Sequence, residues 1–359
     1  MVRITDDILY RVEKPSRYVG GELNEVIKDP KEVDIRFGFC FPDVYEVGMS
    51  HLGSRILYHV LNQRKDTYCE RVYAPWPDME KLMRENNIPL YALETKDPIN
   101  EFNFLAFTLQ YEMSYTNILN MLNMGGIPLR ASERTEKDPL VIAGGPCAYN
   151  PEPLYDIVDI FQLGEGEEGL NDLLDLYQKH KDNFNKEAYL REASHIPSVY
   201  IPSLYDVTYN EDGTIKEFIP KYDDVPKKVK KRIINNFDQV DFPESLIVPY
   251  SEIVHDRVVL ELFRGCTNGC RFCQAGMIYR PVREKSRKTL LDQARKMLKA
   301  TGYDEVSLVS LSTCDYSDIQ GLVKDLIEEH GKNNVSVALP SIRVDAFSVD
   351  LLKEIQKVR

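Results

Sequence analysis

The sequence predicts an α/β protein in two parts, a doubly wound parallel-sheet domain followed by a run of further β/α units. Three observations carry this expectation. Strand-like apolar runs alternate with helical stretches from residue 33 to about 195, and the alternation resumes at about 255. Between them the pattern breaks at Pro197, Pro202, Pro220, Pro226, Pro243 and Pro249. The 359 residues are enough for two domains of ordinary size. The chain accordingly divides into an N-terminal extension (1–32), a doubly wound domain (33–195), a linker with a small β element (196–254) and a β/α segment (255–359).

In the first part, VDIRFGFCFP (33–42) reads as a buried strand, apolar and aromatic and closed by proline. A helix follows over 52–63, where leucine and isoleucine recur at helical spacing. Further strands are expected at 88–94 (IPLYALE), 102–110, 139–145 and 156–164, with helices over 77–86, 113–124 and 167–181. In the linker, YNEDGTI (209–215) is a hairpin turn in which Asp212-Gly213 allows positive φ. In the last part, 257–263, 305–312 and 333–341 are strands, and 285–301, 318–330 and 348–358 are helices. These make three consecutive β/α units, and the chain stops within the last helix at Arg359 without a glycine cap. A parallel sheet of three strands leaves an open edge, so an interruption is expected there.

Composition narrows the functional classes. Apolar residues make up 43% and charged residues 28%, a soluble globular mix. No stretch approaches eighteen uninterrupted apolar residues, so no membrane-spanning helix is expected. The N-terminus, MVRITDDILYRVEKP, lacks the basic-then-apolar layout of a secretory signal, and a cytoplasmic location follows as an expectation. A net charge of −12 gives no whole-chain attraction to nucleic acid. Two local basic runs, Lys227–Arg232 and the stretch from Arg280 to Lys299, read as solvated surface, although the second lies where an anionic substrate would be met.

Seven cysteines is an odd number, and three of them fall within eight residues, which suits metal binding better than disulfides. Cys266, Cys270 and Cys273 lie in ELFRGCTNGCRFCQAG, directly after a predicted strand, with Gly265 and Gly269 allowing sharp turns. Three thiolates are one short of a closed tetrahedral zinc or iron–sulfur site. A 4Fe–4S cluster held by three cysteines leaves one iron open to the amino and carboxylate groups of a methionine moiety. A zinc site borrowing Cys314 or His255 is the main alternative, and unmetallated buried thiols are the other.

The spacing C-x3-C-x2-C, with the aromatic Phe272 just before the third cysteine, resembles the radical SAM superfamily. The resemblance implies a partial β/α barrel, of which residues 255–359 are the N-terminal half, with a 4Fe–4S cluster, S-adenosylmethionine (SAM), reductive cleavage of SAM and hydrogen abstraction from an unreactive carbon. It implies a small electron donor such as flavodoxin or ferredoxin, and leaves the substrate open. By the same resemblance, Ser310, Ser312 and Thr313 at the end of the second barrel strand face the methionine group, although SLST departs from the family's usual glycine-rich segment. Ser341 and Arg343, after the third strand, are placed to reach SAM or substrate.

In open α/β sheets, ligands sit at the carboxyl ends of the strands. Those ends read FPDVYEVGMSHLG (41–53), LQYEMSY (109–115), GGPCAYNPEP (144–153) and LGEGEEG (163–169). Gly164, Gly166 and Gly169 spell a dinucleotide fingerprint, but Glu165, Glu167 and Glu168 would set three negative charges against a pyrophosphate, so NAD is not expected. Those acids suit the helix dipole instead. The string GGPCAYNPEPLYDIVDIFQLGEGEE resembles the cobalamin-binding, Rossmann-type domain that precedes many radical SAM cores, and KPSRYVGGELN resembles an uncharacterised cobalamin-type branch of them. The resemblance assigns Gly48, Ser50, His51, Gly53, Gln110, Gly144, Gly145, Pro146, Gly164 and Gly166 to a cobalamin-like pocket, and cobalamin with its methyl transfer rests on the resemblance alone. His51 lies outside the D-x-H-x-x-G pattern of cobalt-ligating histidines, and Cys147 stands where histidine is common. Two other classes compete: methylthio transfer with a second cluster on Cys40, Cys69 and Cys147, and a non-catalytic iron–sulfur module.

Overall fold

The structure is a computed structural model that describes residues 2–343, 349–356 and 358. The chain forms two compact units, one of residues 1–21 and 25–233, the other of residues 22–24 and 234–359. Residues 234–254, expected as linker, therefore belong to the second unit.

The first unit opens with the short helix α1 (Asp6–Leu9) and then alternates strands and helices. Its strands are β1 (Ile35–Phe41), β2 (Thr67–Tyr73), β3 (Phe104–Thr108), β4 (Leu140–Gly144), β5 (Ile160–Gln162) and β6 (Val199–Tyr200). Its helices are α2 (Tyr45–Ser50), α3 (Leu52–Gln63), α4 (Pro77–Glu85), α5 (Tyr115–Met124), α6 (Gly166–His180) and α7 (Lys186–Ala193). The sheet order is β2-β1-β3-β4-β5-β6, parallel except for β6. Both faces are covered, so strand residues such as Ile35, Phe37, Leu105, Val141 and Ile160 are fully buried. A hairpin of β7 (Tyr205–Tyr209) and β8 (Ile215–Pro220) follows, turning at Gly213 with φ +81° as the Asp-Gly pair requires.

One expected strand is corrected. Residues 88–94 pair only through a single bridge, Tyr91 to Pro98, and β2 lies instead at Thr67–Tyr73. The reason is charge. TYCERVY carries Glu70 and Arg71 on a strand buried on both faces, which reads as polar in sequence. Inside the fold Glu70 accepts from Arg36 and Thr95, while Arg71 pairs with Glu94 at 2.6 Å and Glu25 at 3.1 Å. The apolar 88–94 run instead packs beside β2 as a turn, with Leu93 N donating to Arg71 O at 2.9 Å.

The second unit holds β9 (Val258–Glu261), β10 (Phe263–Arg264), β11 (Arg283–Glu284), β12 (Glu305–Val309) and β13 (Ser336–Ala338). Its helices are α8 (Ala275–Ile278), α9 (Arg287–Thr301), α10 (Ile319–His330) and α11 (Val349–Ile355). Of the helix expected over 348–358, Ser348 and Lys357 lie outside the described residues. A parallel sheet of order β13-β12-β9 alternates with α9, α10 and α11 as three β/α units. α9 starts at Ser286, whose Oγ accepts from Thr289 N, buries Leu290, Ala294 and Met297, and ends at Gly302 with φ +74°.

A buried ion pair ties the loops of the first unit. Arg134 donates to Asp159 at 2.9 Å and to the carbonyls of Pro128, Leu129 and Ile157, and Lys186 reaches Asp159 at 3.0 Å. Because Lys186 stays beside the buried Asp159 carboxylate while the carbonyls of Pro128, Leu129 and Ile157 lose their donor, Arg134→Ala should destabilise by about 1–3 kcal/mol. Urea unfolding followed by circular dichroism checks this, and a loss below about 1 kcal/mol would show that the pair adds little.

Candidate functional site

The cysteine loop leaves the sheet at the carboxyl end of β9. Two antiparallel pairs, Phe263 with Glu284 and Arg264 with Arg283, close the loop at its base. Gly265 has φ +96°, and a Cβ there would lie 2.4 Å from the Pro281 carbonyl oxygen, so the returning segment approaches as closely as only glycine permits. Arg280 Nε donates to Cys266 O at 3.4 Å, and Cys273 N donates to Cys270 O at 3.0 Å. Below the base, the Phe237 ring lies 4.8 Å from the Arg264 guanidinium, and Lys285 Nζ sits 3.6 Å from the centre of the Phe242 ring. Burial works against charge on Glu261, but Arg264 at 2.8 Å holds that carboxyl below its usual range.

Cys266 and Cys273 are half-buried, Cys270 is exposed, and Phe272 is 93% exposed beside them. All seven cysteines are free thiols. Among the described residues no three His, Cys, Asp or Glu side chains are gathered around one point, so the fit of a metal centre rests on the donor set: three thiols on one solvent-open loop.

The strand ends beside the loop carry the other predicted residues. Thr313 is fully buried, its Oγ1 at 2.7 Å from Pro340 O and 3.2 Å from Leu308 O, which ties the ends of β12 and β13 together. Ser310 Oγ donates to Thr313 Oγ1 at 3.3 Å. Ser312 is 1% exposed and its Oγ has no hydrogen-bond partner among the described residues. That orphaned hydroxyl is an observation that fits a polar ligand at this strand end. Ser341 is exposed, with φ +61°, and its carbonyl accepts from Thr313 N at 3.3 Å. Arg343 Nη1 donates to Asn268 Oδ1 at 2.5 Å and to Asp315 Oδ2 at 3.0 Å, and Asn268 Nδ2 donates to Asp315 Oδ2 at 2.7 Å. Asn268 and Asp315 were not singled out in the sequence, because only the register of the sheet brings them to Arg343.

In the first unit the strand order places a topological switch point between β1 and β3. His51 and Gln110 meet there. His51 Nδ1 accepts from Ser54 N at 3.1 Å and caps α3, and its ring lies 5.3 Å from Phe41. Gln110, whose Nε2 donates to Thr108 Oγ1 at 2.5 Å, hydrogen-bonds to the same ring. Burial, opposed by that bond and aided by Arg55, pushes the His51 pKa down to about 4. The ring is neutral, its proton on Nε2 because Nδ1 accepts, which leaves no ring lone pair for a metal. Val47 on α2, Trp76 ahead of α4, and Tyr111 and Met113 after β3 are exposed.

The predicted glycines answer to the protein's own packing. An added Cβ would meet the Tyr73 ring at Gly48 (2.3 Å), the His51 ring at Gly53 (2.8 Å) and Leu109 O at Gly145 (2.9 Å). At Gly164, with φ +93°, it would meet Arg232 O at 2.3 Å, and at Gly166 the Leu57 side chain at 3.3 Å. At Gly144 the nearest atom is Gln162 O, at an ordinary 3.4 Å. Gly164 thus admits the backbone of Arg232, which bridges to it at the sheet edge. Pro146 opens a short 3-10 turn, and Ser50 Oγ donates to Glu46 O at 2.7 Å. Cys40 and Cys69 are fully buried, with burial pushing both thiols up, while Cys147 lies near Glu112 and Tyr115.

A parallel β/α sheet whose first strand feeds a three-cysteine loop is the arrangement that the sequence resemblance implies. Residues 260–359 match the Radical SAM superfamily, and residues 53–202 match the family Radical SAM proteins, N-terminal. The uncharacterized protein MJ0966 of Methanocaldococcus jannaschii is 26% identical over 87% of this chain and 56% of its own length. The ribosomal protein uS12 methylthiotransferase RimO of Elusimicrobium minutum is 30% identical over 39% of this chain and 32% of its own. The radical SAM methyltransferase TsrM of Kitasatospora setae, solved with cobalamin and a [4Fe-4S] cluster, shares the fold. Its TM-score is 0.54 at 13% identity, over 90% of this chain and 59% of that one. The chain thus spans about half the length of the first curated relative.

The neutral His51 ring sets a pH expectation. Its folded pKa lies below the ordinary histidine value, so the unfolded chain binds the proton more tightly. The stability this contributes is fully present above about pH 6.5 and is lost as pH falls toward 4. His51→Gln should flatten that part of the stability profile in thermal melts between pH 4 and 7. An unchanged slope would show that the ring is protonated without penalty.

Proposed function

We propose that this chain is the core of a radical SAM enzyme that holds a 4Fe–4S cluster on Cys266, Cys270 and Cys273. The single observation that carries the reading is the set of three free thiols on one open loop at the carboxyl end of the first strand of a parallel β/α sheet. When bound, such a cluster supplies one electron to SAM, giving methionine and a carbon radical that takes hydrogen from an unreactive carbon. Ser312, with its orphaned hydroxyl, and Ser310 at the end of β12 would meet the methionine group. Buried Thr313 fixes the two strand ends against which SAM would lie. The electron would come from a carrier of the flavodoxin or ferredoxin class, and free thiols throughout suit a reducing, cytosolic setting. Among the described residues no helix is long and apolar enough to cross a membrane.

The proposal extends to methyl transfer with a cobalamin-type cofactor in the β1/β3 crevice. Two things support it: the fold shared with TsrM and the exposed apolar side chains Val47, Trp76, Tyr111 and Met113 in the segments after the strands at that edge. His51 would serve as a neutral floor beside Gln110, not as a ligand. Methylthio transfer, the reaction named for RimO, is disfavoured because Cys40 and Cys69 sit in core strands with no solvent access.

Two measurements test these readings. Anaerobically reconstituted chain should bind about four irons and give a 4Fe–4S signal in electron paramagnetic resonance that shifts on adding SAM, and Cys270→Ala should lose it. Zinc retained in place of iron would sink the assignment. Cobalamin titrated into His51→Ala should give the absorption spectrum of the unaltered chain. A change in the axial-ligand bands would show that His51 ligates after all.

A further inference from the structure

We propose that Asn268, Asp315 and Arg343 form a positioning latch that fixes the cysteine loop and tunes the metal centre through an N–H···S bond to Cys266. The inference rests on the cluster reading above and concerns residues that the reading itself does not use as ligands.

Asn268 lies between the first two cysteines. Its amide oxygen accepts from Arg343 Nη1 at 2.5 Å, and its amide nitrogen donates to Asp315 Oδ2 at 2.7 Å. A cation on the oxygen side and an anion on the nitrogen side leave one orientation for the amide. The nitrogen carries two hydrogens. One is used by Asp315, and the second points to Cys266 Sγ at 3.3 Å, well within range for a sulfur acceptor. Arg343 closes the triangle on Asp315 at 3.0 and 3.2 Å.

The three residues come from three places: the cysteine loop, the 3-10 turn Thr313–Asp315 after β12, and the segment after β13. Thr313 N bonds to Ser341 O, so the turn that carries Asp315 and the segment that carries Arg343 are already tied together. The latch therefore transmits the rigidity of the sheet to an exposed loop. Side chains of Arg343 and Asp315 are 34% and 37% exposed, so solvent screens the ion pair and the latch matters for geometry more than for global stability.

Hydrogen bonds to cysteine sulfur stabilise the more negative, reduced state of an iron–sulfur centre and raise its potential. Asn268→Ala keeps all three thiols and lies on an exposed loop, so the chain should fold and load iron. Its midpoint potential should fall, lowering the reduced-to-oxidised ratio at a fixed poise about fivefold, the effect of one hydrogen bond. Asn268→Asp would set a carboxylate against both Asp315 and the thiolate, and should lower iron loading as well. Arg343→Ala should shift the potential the same way as Asn268→Ala, since it frees the amide to turn and removes a nearby cation.

The experiment is a redox titration of the full chain without SAM, followed by electron paramagnetic resonance, with iron content and circular dichroism measured on each variant. Unchanged potentials in folded, iron-loaded variants would overturn the latch while leaving the cluster reading intact. If Arg343→Ala alters only the SAM-induced change and not the SAM-free potential, Arg343 serves the ligand and the latch is likewise overturned. A native chain that holds no iron would remove both.

Discussion

Both units are built on parallel strands, and that single constraint governs where chemistry can occur. A parallel strand must be followed by a crossover, so every strand-to-helix loop emerges at one edge of its sheet. In the first unit that edge gathers the loops after β1, β3 and β4, with the crevice opening where the strand order reverses. In the second it gathers the cysteine loop, the turn after β12 and the segment after β13. The helices cover the faces and leave the carboxyl edge as the place where polar and reactive side chains can collect without disturbing the core.

The same burial explains the charges inside the first sheet. A strand covered on both faces has no solvent for a charged side chain, yet β2 carries Glu70 and Arg71 at 0% and 5% exposure. Each is acceptable only because its partners are fixed by other elements: Arg36 on β1 and Thr95 for Glu70, Glu94 and Glu25 for Arg71. The burial of Glu70 raises its pKa despite those partners, a sign that desolvation is the larger effect. Such pairs specify register, since a slip of one residue would strand two charges in the core.

This is why β2 was illegible in the sequence while β1, β3 and β4 were plain. Their apolar runs announce burial directly, whereas TYCERVY looks like surface until Arg36 and Glu94 are brought beside it. The cysteine loop was legible because three thiols within eight residues need no tertiary information. The glycines were legible as special positions, and most of what makes them special lies far away in sequence: Gly164 answers to Arg232 and Gly48 to Tyr73. His51 shows the same limit. A histidine ahead of a helix reads as a ligand or a loop residue, but its use of Nδ1 as a cap follows from the placement of Ser54 N at 3.1 Å. Asn268 carried no signal at all, because an asparagine among glycines reads as a turn residue until Asp315 and Arg343 flank it.

A loop that holds a redox centre faces two opposed demands. It must stay open enough for a ligand to reach a free coordination position, and it must be rigid enough that the thiolates keep their spacing when the charge on the centre changes. The structure divides these demands along the loop. At the base, the β10–β11 pairs and the close approach at Gly265 fix the exit and return of the chain. At the tip, Cys270 and Phe272 remain exposed. Between base and tip the backbone offers little, since a Cβ at Gly269 would have only Thr267 O at 3.9 Å for company. Rigidity there has to come from side chains, and Asn268 is the one with two charged partners. An aspartate at that position would repel Asp315, and a serine could not hold Arg343 and Asp315 at once with a hydrogen left for sulfur. Asparagine satisfies all three contacts with one planar group, and so couples the middle of the loop to the segments after β12 and β13.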